Sequence, residues 1–316
     1  MNEFELIDLL KKGLPSNGSV VIGAGDDCAV LDLGIPDSYL LFKTDAVVEG
    51  IHFTANEEPE RVGHKALGRC LSDVAAMGGN ATAALITLAL PPNFDPAWVE
   101  KLYAGLGQLA RIYKVAIVGG ETTTNPERKL VSVSLVGTVS RKACLARSGA
   151  QKGDAIFVTG ELGGSLLSRH LEFAPRLEEG KWLANQFPIH AMIDLSDGLA
   201  GDLRHILRAS NVGAELLSDA IPISRAAKLQ AREESARKPP LLAALTDGED
   251  FELLFTLPSR QAVPLLDAWK KQFPDVRLSC IGKIVSGSGL MLRDKNGSKE
   301  LNFSAYTHFD NPSSSS

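Results

Sequence analysis

Residues 59–79 read PERVGHKALGRCLSDVAAMGG, and this stretch predicts the long helix against which the first half of the chain would fold. Its proline suits the first turn of a helix. Apolar side chains then recur at steps of three and four residues from Val62 to Met77, which is typical of a helix with a buried face. We therefore expect a helix near 60–77.

Asp73 is the unusual residue of this helix. The interval from Val62 to Asp73 is close to three helical turns, so the carboxylate projects on the apolar side. A carboxylate on a packed face is unfavourable unless it is paired or bound to a metal. Two interpretations follow: Asp73 pairs with Arg69, one turn earlier, or it is a metal ligand.

Apolar runs on both sides of this helix predict strands. They are SVVIG (19–23), YLLFK (39–43), AALITLAL (83–90), VAIVG (115–119) and LVSVSLVGTVS (130–140). Two prolines at 91–92 break the third run, and a second helix is predicted over about 97–113. Strands and helices mixed in this order favour an α+β domain over residues 1–140, with its boundary near 141–154.

The rest of the chain predicts a second α+β domain, over residues 141–310. AIFVTG (155–160) is strand-like and leads through a glycine turn into a predicted helix, ELGGSLLSRHL (161–171). Residues 189–217 predict strand, helix and strand, with Asn211 or Gly213 ending the helix. The remaining predictions are a strand at FELLFTLP, a helix near 259–272, strands near 276–284 and 289–293, and a disordered tail over 311–316.

The composition excludes several classes of protein. The 316-residue chain has a net charge of −5 and 6% aromatic residues, so it lacks the basic surface and stacking platforms of nucleic-acid-binding proteins. Its four cysteines are scattered without a CxxC motif, which indicates neither a zinc site nor a disulfide framework. No apolar run approaches the ~20 residues of a membrane span, and the N-terminus has no signal-peptide pattern. We expect a cytoplasmic protein that binds neither nucleic acid nor membrane.

Ten of the 38 acidic residues lie in short Gly-rich or polar motifs where a strand is predicted to end or a helix to begin. They are Asp26, Asp27, Asp45, Glu49, Asp73, Glu121, Asp194, Asp197, Glu249 and Asp250. Carboxylates that converge repel one another and need a compensating cation. Mg²⁺ prefers oxygen ligands and is usually held by a few carboxylates together with substrate phosphates. The pattern favours a Mg²⁺-dependent enzyme that acts on phosphates.

Two glycine-rich motifs could approach a ligand closely. GAGDD (23–27) is neither a Walker A loop nor a full GxGxxG motif, so it is either a ligand loop or a solvated turn. GGETT (119–123) places glycines, which allow backbone to approach a phosphate or ring, next to Glu121. The carboxylate of Glu121 suits Mg²⁺.

Other motifs leave structural alternatives open. In DLSDG (194–198), helix capping by the serine or the second aspartate explains one residue, but not Asp194 as well. His52 is by itself more typical of a structural histidine. Arg147 is by itself more typical of a surface arginine, although its RSGA turn also suits a phosphate.

Seven motifs follow one another along the chain: GDDCAVL, TDAVVEGIHF, LSDVAAMGG, GGETT, RSGA, MIDLSDGLAGDL and GEDFELLFT. In this order they resemble the thiamine-monophosphate kinase family, within the superfamily of ATP-binding proteins that includes aminoimidazole ribonucleotide synthetase. The resemblance implies a two-domain, PurM-like α+β fold whose N-terminal mixed sheet pairs with that of a second copy in a homodimer. It also implies Mg²⁺ ions and transfer of the γ-phosphate of ATP to thiamine monophosphate, giving thiamine diphosphate.

The resemblance also implies roles for residues of this chain. The implied metal ligands are Asp27, Thr44, Asp45, Asp73, Glu121, Asp194 and Asp197. The implied ATP contacts are Tyr103, Gly120, Glu121, Arg147 and Ser196. The implied contacts to thiamine monophosphate are His52, Glu249 and Tyr306. No general base is implied, since the attacking phosphate oxygen is already ionised at neutral pH.

The chain departs from the family pattern at two positions. Lys43 stands where many members have Ser or Thr. A charged lysine cannot ligate Mg²⁺. It would therefore either neutralise a phosphate or point away, with one metal site fewer. Glu121 stands where members commonly have Asp, and it keeps the charge one methylene farther out. Two alternatives stay open: another ATP-using enzyme of the same superfamily, and a non-catalytic nucleotide-binding homologue in which Lys43 marks lost metal chemistry.

Overall fold

The structure is a computed structural model that describes residues 3–167, 169–232 and 238–301. Two β-sheets dominate this part of the chain, one in each half. The tail predicted to be disordered and the candidate substrate contact Tyr306 lie outside the described residues.

The first half forms a six-stranded sheet. In chain order its strands are β1 (Val20–Ile22), β2 (Ala29–Leu31), β3 (Ser38–Val48), β4 (Asn80–Leu90), β5 (Ala116–Thr124) and β6 (Leu130–Ser140). Their spatial order is β1-β2-β3-β6-β4-β5, and β4 and β5 are parallel while the other pairs among these strands are antiparallel. The mixed N-terminal sheet agrees with the prediction.

The second half forms a seven-stranded sheet. In chain order its strands are β7 (Asp154–Thr159), β8 (Ala191–Asp194), β9 (Gly213–Leu217), β10 (Leu253–Pro258), β11 (Leu278–Val285), β12 (Leu290–Asp294) and β13 (Gly297–Glu300). Their spatial order is β13-β12-β9-β11-β7-β10-β8. The β9–β12 pair is parallel, and the other pairs among these strands are antiparallel.

Eight α-helices complete the described part of the chain. They are α1 (Glu3–Lys11), α2 (Pro59–Ala76), α3 (Pro96–Ile112), α4 (Leu177–Gln186), α5 (Leu199–Ser210), α6 (Arg225–Gln230), α7 (Pro240–Thr246) and α8 (Ala262–Gln272). None of these helices is long and apolar enough to cross a membrane. Helix α5 ends at Asn211 in the left-handed conformation, so one of its two predicted stop residues is confirmed.

Helix α2 lies between the two halves of the molecule. It packs against α3 and the inner face of the first sheet, and it also contacts α4 and β8 of the second half. Two glycines make the contact between α2 and α3 close, because a Cβ at Gly63 or Gly105 would collide with the backbone of the facing helix. Most of α2 is buried as a result, including its polar residues Ser72 and Asp73.

The two sheets differ in how they are covered. All six residues of β7 are buried: Phe157 packs into the core shared with α2, while Ile156 and Val158 pack into a second core with α5. The first sheet has a covered inner face, but Phe42 and Leu85 on its outer face are 47% and 47% exposed. Strands β7, β8 and β10 of the second sheet are thus buried on both faces, whereas the first sheet is covered on one.

The loop-rich start of the second half differs from its prediction. Residues 161–171 form two short 3₁₀ turns, at Ser165–Leu167 and Arg169–Leu171, and not one helix. Gly163 and Gly164 before them have positive φ values of 81° and 72°, which the interior of an α-helix does not allow. The apolar pattern alone does not reveal this turn.

Two acidic motifs lie within strands, and not at strand ends as predicted. Strand β3 continues past Lys43 and Asp45 to Val48. Strand β5 continues through the whole of GGETT. The side chains of these motifs are therefore directed by strand alternation, which places neighbours on opposite faces.

Candidate active site

Three carboxylates from distant parts of the sequence meet beside α2. Asp27 lies in the loop between β1 and β2, Asp73 lies in α2, and Asp194 ends β8. One oxygen of each lies within 4.8 Å of the others, and the three residues are 1%, 6% and 4% exposed. We call Asp27, Asp73 and Asp194 the acid cluster.

Each carboxylate of the acid cluster has a polar partner. The hydrogen bonds run from Lys43 Nζ to Asp73 Oδ1 (2.8 Å), from Arg147 Nε to Asp27 Oδ1 (3.0 Å) and from Ser72 Oγ to Asp194 Oδ2 (2.6 Å). Asp27 Oδ2 is buried and has no hydrogen-bond partner among the described residues. A buried anionic oxygen without a partner is unfavourable. The cluster therefore fits a hard cation that prefers oxygen ligands, such as Mg²⁺.

The pKa values of the carboxylates in the acid cluster agree with a site for a cation. Burial raises the pKa of Asp73 well above its ordinary value, against the opposing charge of Lys43 and with the added repulsion of Asp194. Burial and the charge of Asp27 raise the pKa of Asp194 to about 7. A bound cation would favour the ionised carboxylates, so its binding would release protons.

Strand β3 decides which side chains face the acid cluster. Lys43 and Asp45 point toward α2, where they meet Asp73 and Arg69. Thr44 lies on the opposite face, and its hydroxyl meets serine hydroxyls of β6. The side chain of Thr44, expected as a metal ligand, does not join the acid cluster. Lys43, for which pointing away was one expectation, points into it.

Asp45 also stands outside the acid cluster. Arg69 donates to Asp45 from Nε (2.9 Å) and from Nη2 (3.1 Å), and from Nη1 to Glu249 Oε1 (3.2 Å). The structural explanation considered for Asp73, a pair with Arg69, is therefore wrong. Arg69 instead joins Asp45 of the first half to Glu249 of the second, which leaves Asp73 for Lys43.

A cavity of about 140 Å³ opens beside Arg69. His52, Ser196, Asp197 and Glu249 contribute to its lining. Burial and the charge of Arg69 lower the pKa of His52 to about 4, so its imidazole is neutral at neutral pH. One cavity thus brings together four residues that the family resemblance assigns to metal, nucleotide and substrate.

A buried network fixes Glu249 in the wall of this cavity. Lys65 is fully buried, and its Nζ lies 2.5 Å from Glu249 Oε2 and donates to the carbonyl oxygen of His52 (2.6 Å). His170 Nδ1 lies 2.9 Å from the same carboxylate oxygen. Burial acts to raise the pKa of Glu249, but the hydrogen bond with His170 and the charges of Lys65 and Arg69 outweigh it and lower the pKa to about 2. The carboxylate is therefore ionised and held.

A second acidic group lies at the start of α5. Asp197, Asp202 and His205 each place one ligand atom within 4.8 Å of the others. Asp202 is 2% exposed and accepts the backbone N–H of Asp197 (3.0 Å). The N-cap of α5 is Gly198, without a side-chain capping bond. Helix capping therefore does not explain Ser196 or Asp197.

Arg147 lies beside the acid cluster. Its side chain bonds to Asp27, and its backbone N–H donates to Asp26 Oδ2 (3.1 Å). Burial acts against the charge of Arg147, but Asp27 and Asp26 outweigh it and raise its pKa. The interpretation of Arg147 as an isolated surface arginine is wrong, because it is a fixed cation at the edge of the cluster.

The remaining residues expected at ATP lie apart from the acid cluster. Gly120 and Glu121 lie in the edge strand β5, and the carboxylate of Glu121 accepts the backbone N–H of Thr122 (3.0 Å). A Cβ at Gly120 would collide with the carbonyl oxygen of Ile86, so the pairing of β4 and β5 by itself requires this glycine. Tyr103 lies on α3 and is 38% exposed.

Several polar residues of this region, among them Lys65, Ser72, His170 and Asp202, were not predicted from the sequence. A signal for the lysine was present, because Lys65, Arg69 and Asp73 follow at steps of four residues and share one helix face. A polar stripe on a helix with many apolar residues indicates a buried polar network. The stripe is apparent only when Asp73 is taken together with Lys65 and Arg69.

Comparison with known proteins places this architecture in a family. The model of the AIR synthase related protein N-terminal domain matches residues 25–139, and that of the C-terminal domain matches residues 136–293. The thiamine-monophosphate kinase of Rhodopirellula baltica is 40% identical over 281 residues, which cover 87% of this chain and 86% of that protein. This chain belongs to the thiamine-monophosphate kinase family. The kinase of Aquifex aeolicus is 36% identical over 315 residues, which cover 93% and 95% of the two chains.

Solved structures support the same assignment. The structure described as AaThiL complexed with AMPPCP and TMP has a TM-score of 0.83 at 34% identity, covering 98% of this chain and 97% of that chain. Escherichia coli HypE, a hydrogenase maturation protein, has a TM-score of 0.72 at 19% identity, which shows a shared fold alone. The predicted family and the predicted two-domain α+β fold are confirmed.

Proposed function

We propose that this protein transfers the γ-phosphate of ATP to thiamine monophosphate, and that Mg²⁺ held by the acid cluster assists the transfer. The observation that carries the proposal is the convergence of Asp27, Asp73 and Asp194, together with a buried oxygen of Asp27 that has no hydrogen-bond partner in the described part of the chain. The names of the related kinases give the acceptor, and a structural relative was solved with AMPPCP and TMP.

The acid cluster would hold the cation from three separate elements. Mg²⁺ bound there supplies positive charge to the phosphates of both reactants. Asp197, three residues after Asp194, would extend the ligand set toward the cavity with the help of Asp202. Asp45 would join only by exchanging Arg69 for the ion. Glu121 is in register with Thr87 and Ser132, on the face of the sheet that carries Thr44, so it would not join the acid cluster.

The cavity would hold thiamine monophosphate. Glu249 presents a fixed negative charge, which suits the cationic thiazolium ring, and Arg69 presents a guanidinium group for the phosphate. Arg147 and Ser196 would contact ATP phosphates. His52 is neutral and has no proton to remove, since the attacking phosphate oxygen is already ionised. The work of the protein is then positioning and charge neutralisation.

An acceptor assay tests this function. Thiamine monophosphate, thiamine and aminoimidazole ribonucleotide precursors are offered separately with Mg-ATP, and ADP release is followed with a coupled assay. We expect turnover with thiamine monophosphate alone. Turnover with an aminoimidazole precursor would favour another enzyme of the superfamily, and nucleotide binding without turnover would favour a regulatory protein.

The exposed face of the first sheet supports a homodimer. Phe42 and Leu85 on this face are 47% and 47% exposed, and Val118 at the sheet edge is 62% exposed. Apolar side chains of this size on an open sheet favour a protein interface. Analytical sedimentation of the wild type and of Leu85→Glu tests this. We expect the wild type to be a dimer and the variant to be a monomer. A monomeric wild type would contradict the dimer. We also propose a cytoplasmic location, which cell fractionation tests.

A further inference from the structure

Lys43 brings a positive charge to the acid cluster from inside the fold. Its Nζ lies 2.8 Å from Asp73 Oδ1, and the two side chains are 22% and 8% exposed. Strand β3 pairs residue by residue with β6 from Ser38 to Val48, which fixes the position from which the lysine projects. The ammonium group is thus held beside the cluster and is not a solvated surface charge.

The charge balance of the cluster shows what the lysine does. Three carboxylates, Asp27, Asp73 and Asp194, carry −3 when ionised, and Lys43 and Arg147 carry +2, so the sum is −1. Without the ammonium group the sum would be −2. Asp73 would then lose the ion pair of 2.8 Å that compensates its burial, which is unfavourable.

We propose that the ammonium group of Lys43 occupies one cation position of the acid cluster, so that this protein binds one Mg²⁺ fewer there than it would with a neutral side chain at position 43. The proposal rests on the Mg²⁺ site of the proposed function. An ammonium group donates hydrogen bonds to carboxylate oxygens, as it does to Asp73, and it remains in place when magnesium is scarce. The lysine would partly stabilise the site in the absence of metal.

Metal binding without substrates tests the proposal. Lys43→Met removes the charge and keeps an unbranched side chain. Mg²⁺ bound per chain is measured by equilibrium dialysis, and the melting temperature is measured in EDTA and in excess Mg²⁺. We expect the variant to bind one more ion per chain than the wild type. We also expect it to melt lower in EDTA and to gain at least roughly 3 °C more from Mg²⁺.

Lys129→Met is the matched control. Lys129 pairs with Glu49 at 3.1 Å, with side-chain exposures of 17% and 15%, and lies outside the acid cluster. We expect this variant to keep the wild-type number of ions and the wild-type gain from Mg²⁺. Lys43→Arg, which keeps the charge, should do the same. If Lys43→Met does not fold, Lys43→Ser purified in Mg²⁺ replaces it.

The possible outcomes distinguish failure of the proposal for Lys43 from failure of the proposed kinase function. An unchanged ion count and an unchanged gain in Lys43→Met overturn the role of Lys43 while leaving the metal site intact. Absence of Mg²⁺ binding in both wild type and variant overturns the metal site and the lysine together. An extra ion in the variant, combined with a wild type that does not phosphorylate thiamine monophosphate, supports the lysine and contradicts the proposed substrate.

Discussion

Two groups of buried carboxylates in this molecule differ in how fully the protein compensates their charge. The acid cluster gathers Asp27, Asp73 and Asp194 from three distant segments, and one buried oxygen of Asp27 has no hydrogen-bond partner among the residues that the structure describes. The paired acids, Glu249, Asp250 and Glu252, come from a single segment, GEDFE. Asp250 and Glu252 are 1% and 2% exposed, as deeply buried as the acid cluster.

The paired acids find their partners within the protein. Asp250 accepts backbone N–H of Gly163 (2.9 Å) and Arg169 Nη2 (2.7 Å). Glu252 accepts Arg176 Nε (2.8 Å) and Nη2 (2.8 Å). Burial alone therefore does not distinguish a structural acid from a ligand. Incomplete compensation does distinguish them, because a buried carboxylate whose charge the protein neutralises only in part requires a bound partner.

The largest effect is expected when a carboxylate of the acid cluster becomes neutral. In Asp194→Asn we expect the rate of thiamine-monophosphate phosphorylation to fall by about 10³-fold, since one charged ligand is lost where positive charge must be held. The melting temperature in EDTA should not fall, because the asparagine removes a repelling charge beside Asp27. Initial rates and thermal melts measure both.

A near-normal rate in this variant would contradict the metal assignment. If Asp194→Asn were much less stable than the wild type in EDTA, Asp194 would behave like the paired acids. The acid cluster and the paired acids would then not differ in their contribution to stability. Circular dichroism serves as the control for the fold.

The opposite result is expected for a paired acid. Glu252→Ala removes one of the two carboxylate partners of Arg176, which also pairs with Glu179, and one partner of Arg169. Breaking a buried ion pair from one side leaves the other charge less well compensated, so we expect the free energy of unfolding to fall by about 3 kcal/mol. Urea denaturation measures this loss.

The folded fraction of this variant should phosphorylate thiamine monophosphate far better than Asp194→Asn does. Glu252→Gln, which keeps hydrogen-bond acceptance, is the matched control and should lose less stability. A Glu252→Ala protein that is stable but inactive would show that Glu252 has a direct role in the reaction.

The sequence predicts much of the fold because the strands and helices that were found have regular apolar periods. Helix α2, expected near 60–77, is Pro59–Ala76, and α3, expected over about 97–113, is Pro96–Ile112. The turns at 161–171 were mispredicted because Gly163 and Gly164 adopt left-handed conformations that an apolar pattern does not encode.

The site is less predictable, because it depends on which pairs of residues meet across the fold. Asp45 and Asp73 have similar motif contexts, yet Arg69 compensates the first and Lys43 the second. Thr44 follows Lys43 directly, but strand alternation places its side chain on the other face of the sheet. The family resemblance could assign roles to residues. Only the three-dimensional structure shows which cationic side chain pairs with which acidic side chain.

Acid pH separates Glu249 from Asp194 by the sign of the dependence of stability on pH, because the pKa of Glu249 is lowered and that of Asp194 is raised. The pKa of Glu249 is lowered from 4.5 to about 2, so its contribution to stability is present above pH 4.5 and is lost as pH falls toward 2. We expect a loss of about 3 kcal/mol from this residue by pH 2. Urea denaturation from pH 6 to pH 2 measures it, and Glu249→Gln should flatten that part of the curve. An unchanged slope in the variant would show that Lys65 and Arg69 do not hold an ionised Glu249.

The smallest effect is expected at Asp26, which adjoins the acid cluster in sequence but resembles the paired acids in its contacts. Asp26 Oδ1 accepts the backbone N–H of Asp27 (3.0 Å), and Asp26 Oδ2 accepts that of Arg147 (3.1 Å). An asparagine oxygen can keep one of these bonds, so Asp26→Asn should change the rate by no more than about fivefold, the worth of roughly one hydrogen bond. Asp27→Asn, one residue later, should lose about as much as Asp194→Asn. Equal losses in the two neighbours would mean that Asp26 also binds the cation, and that its backbone contacts are exchanged for metal when the site is filled.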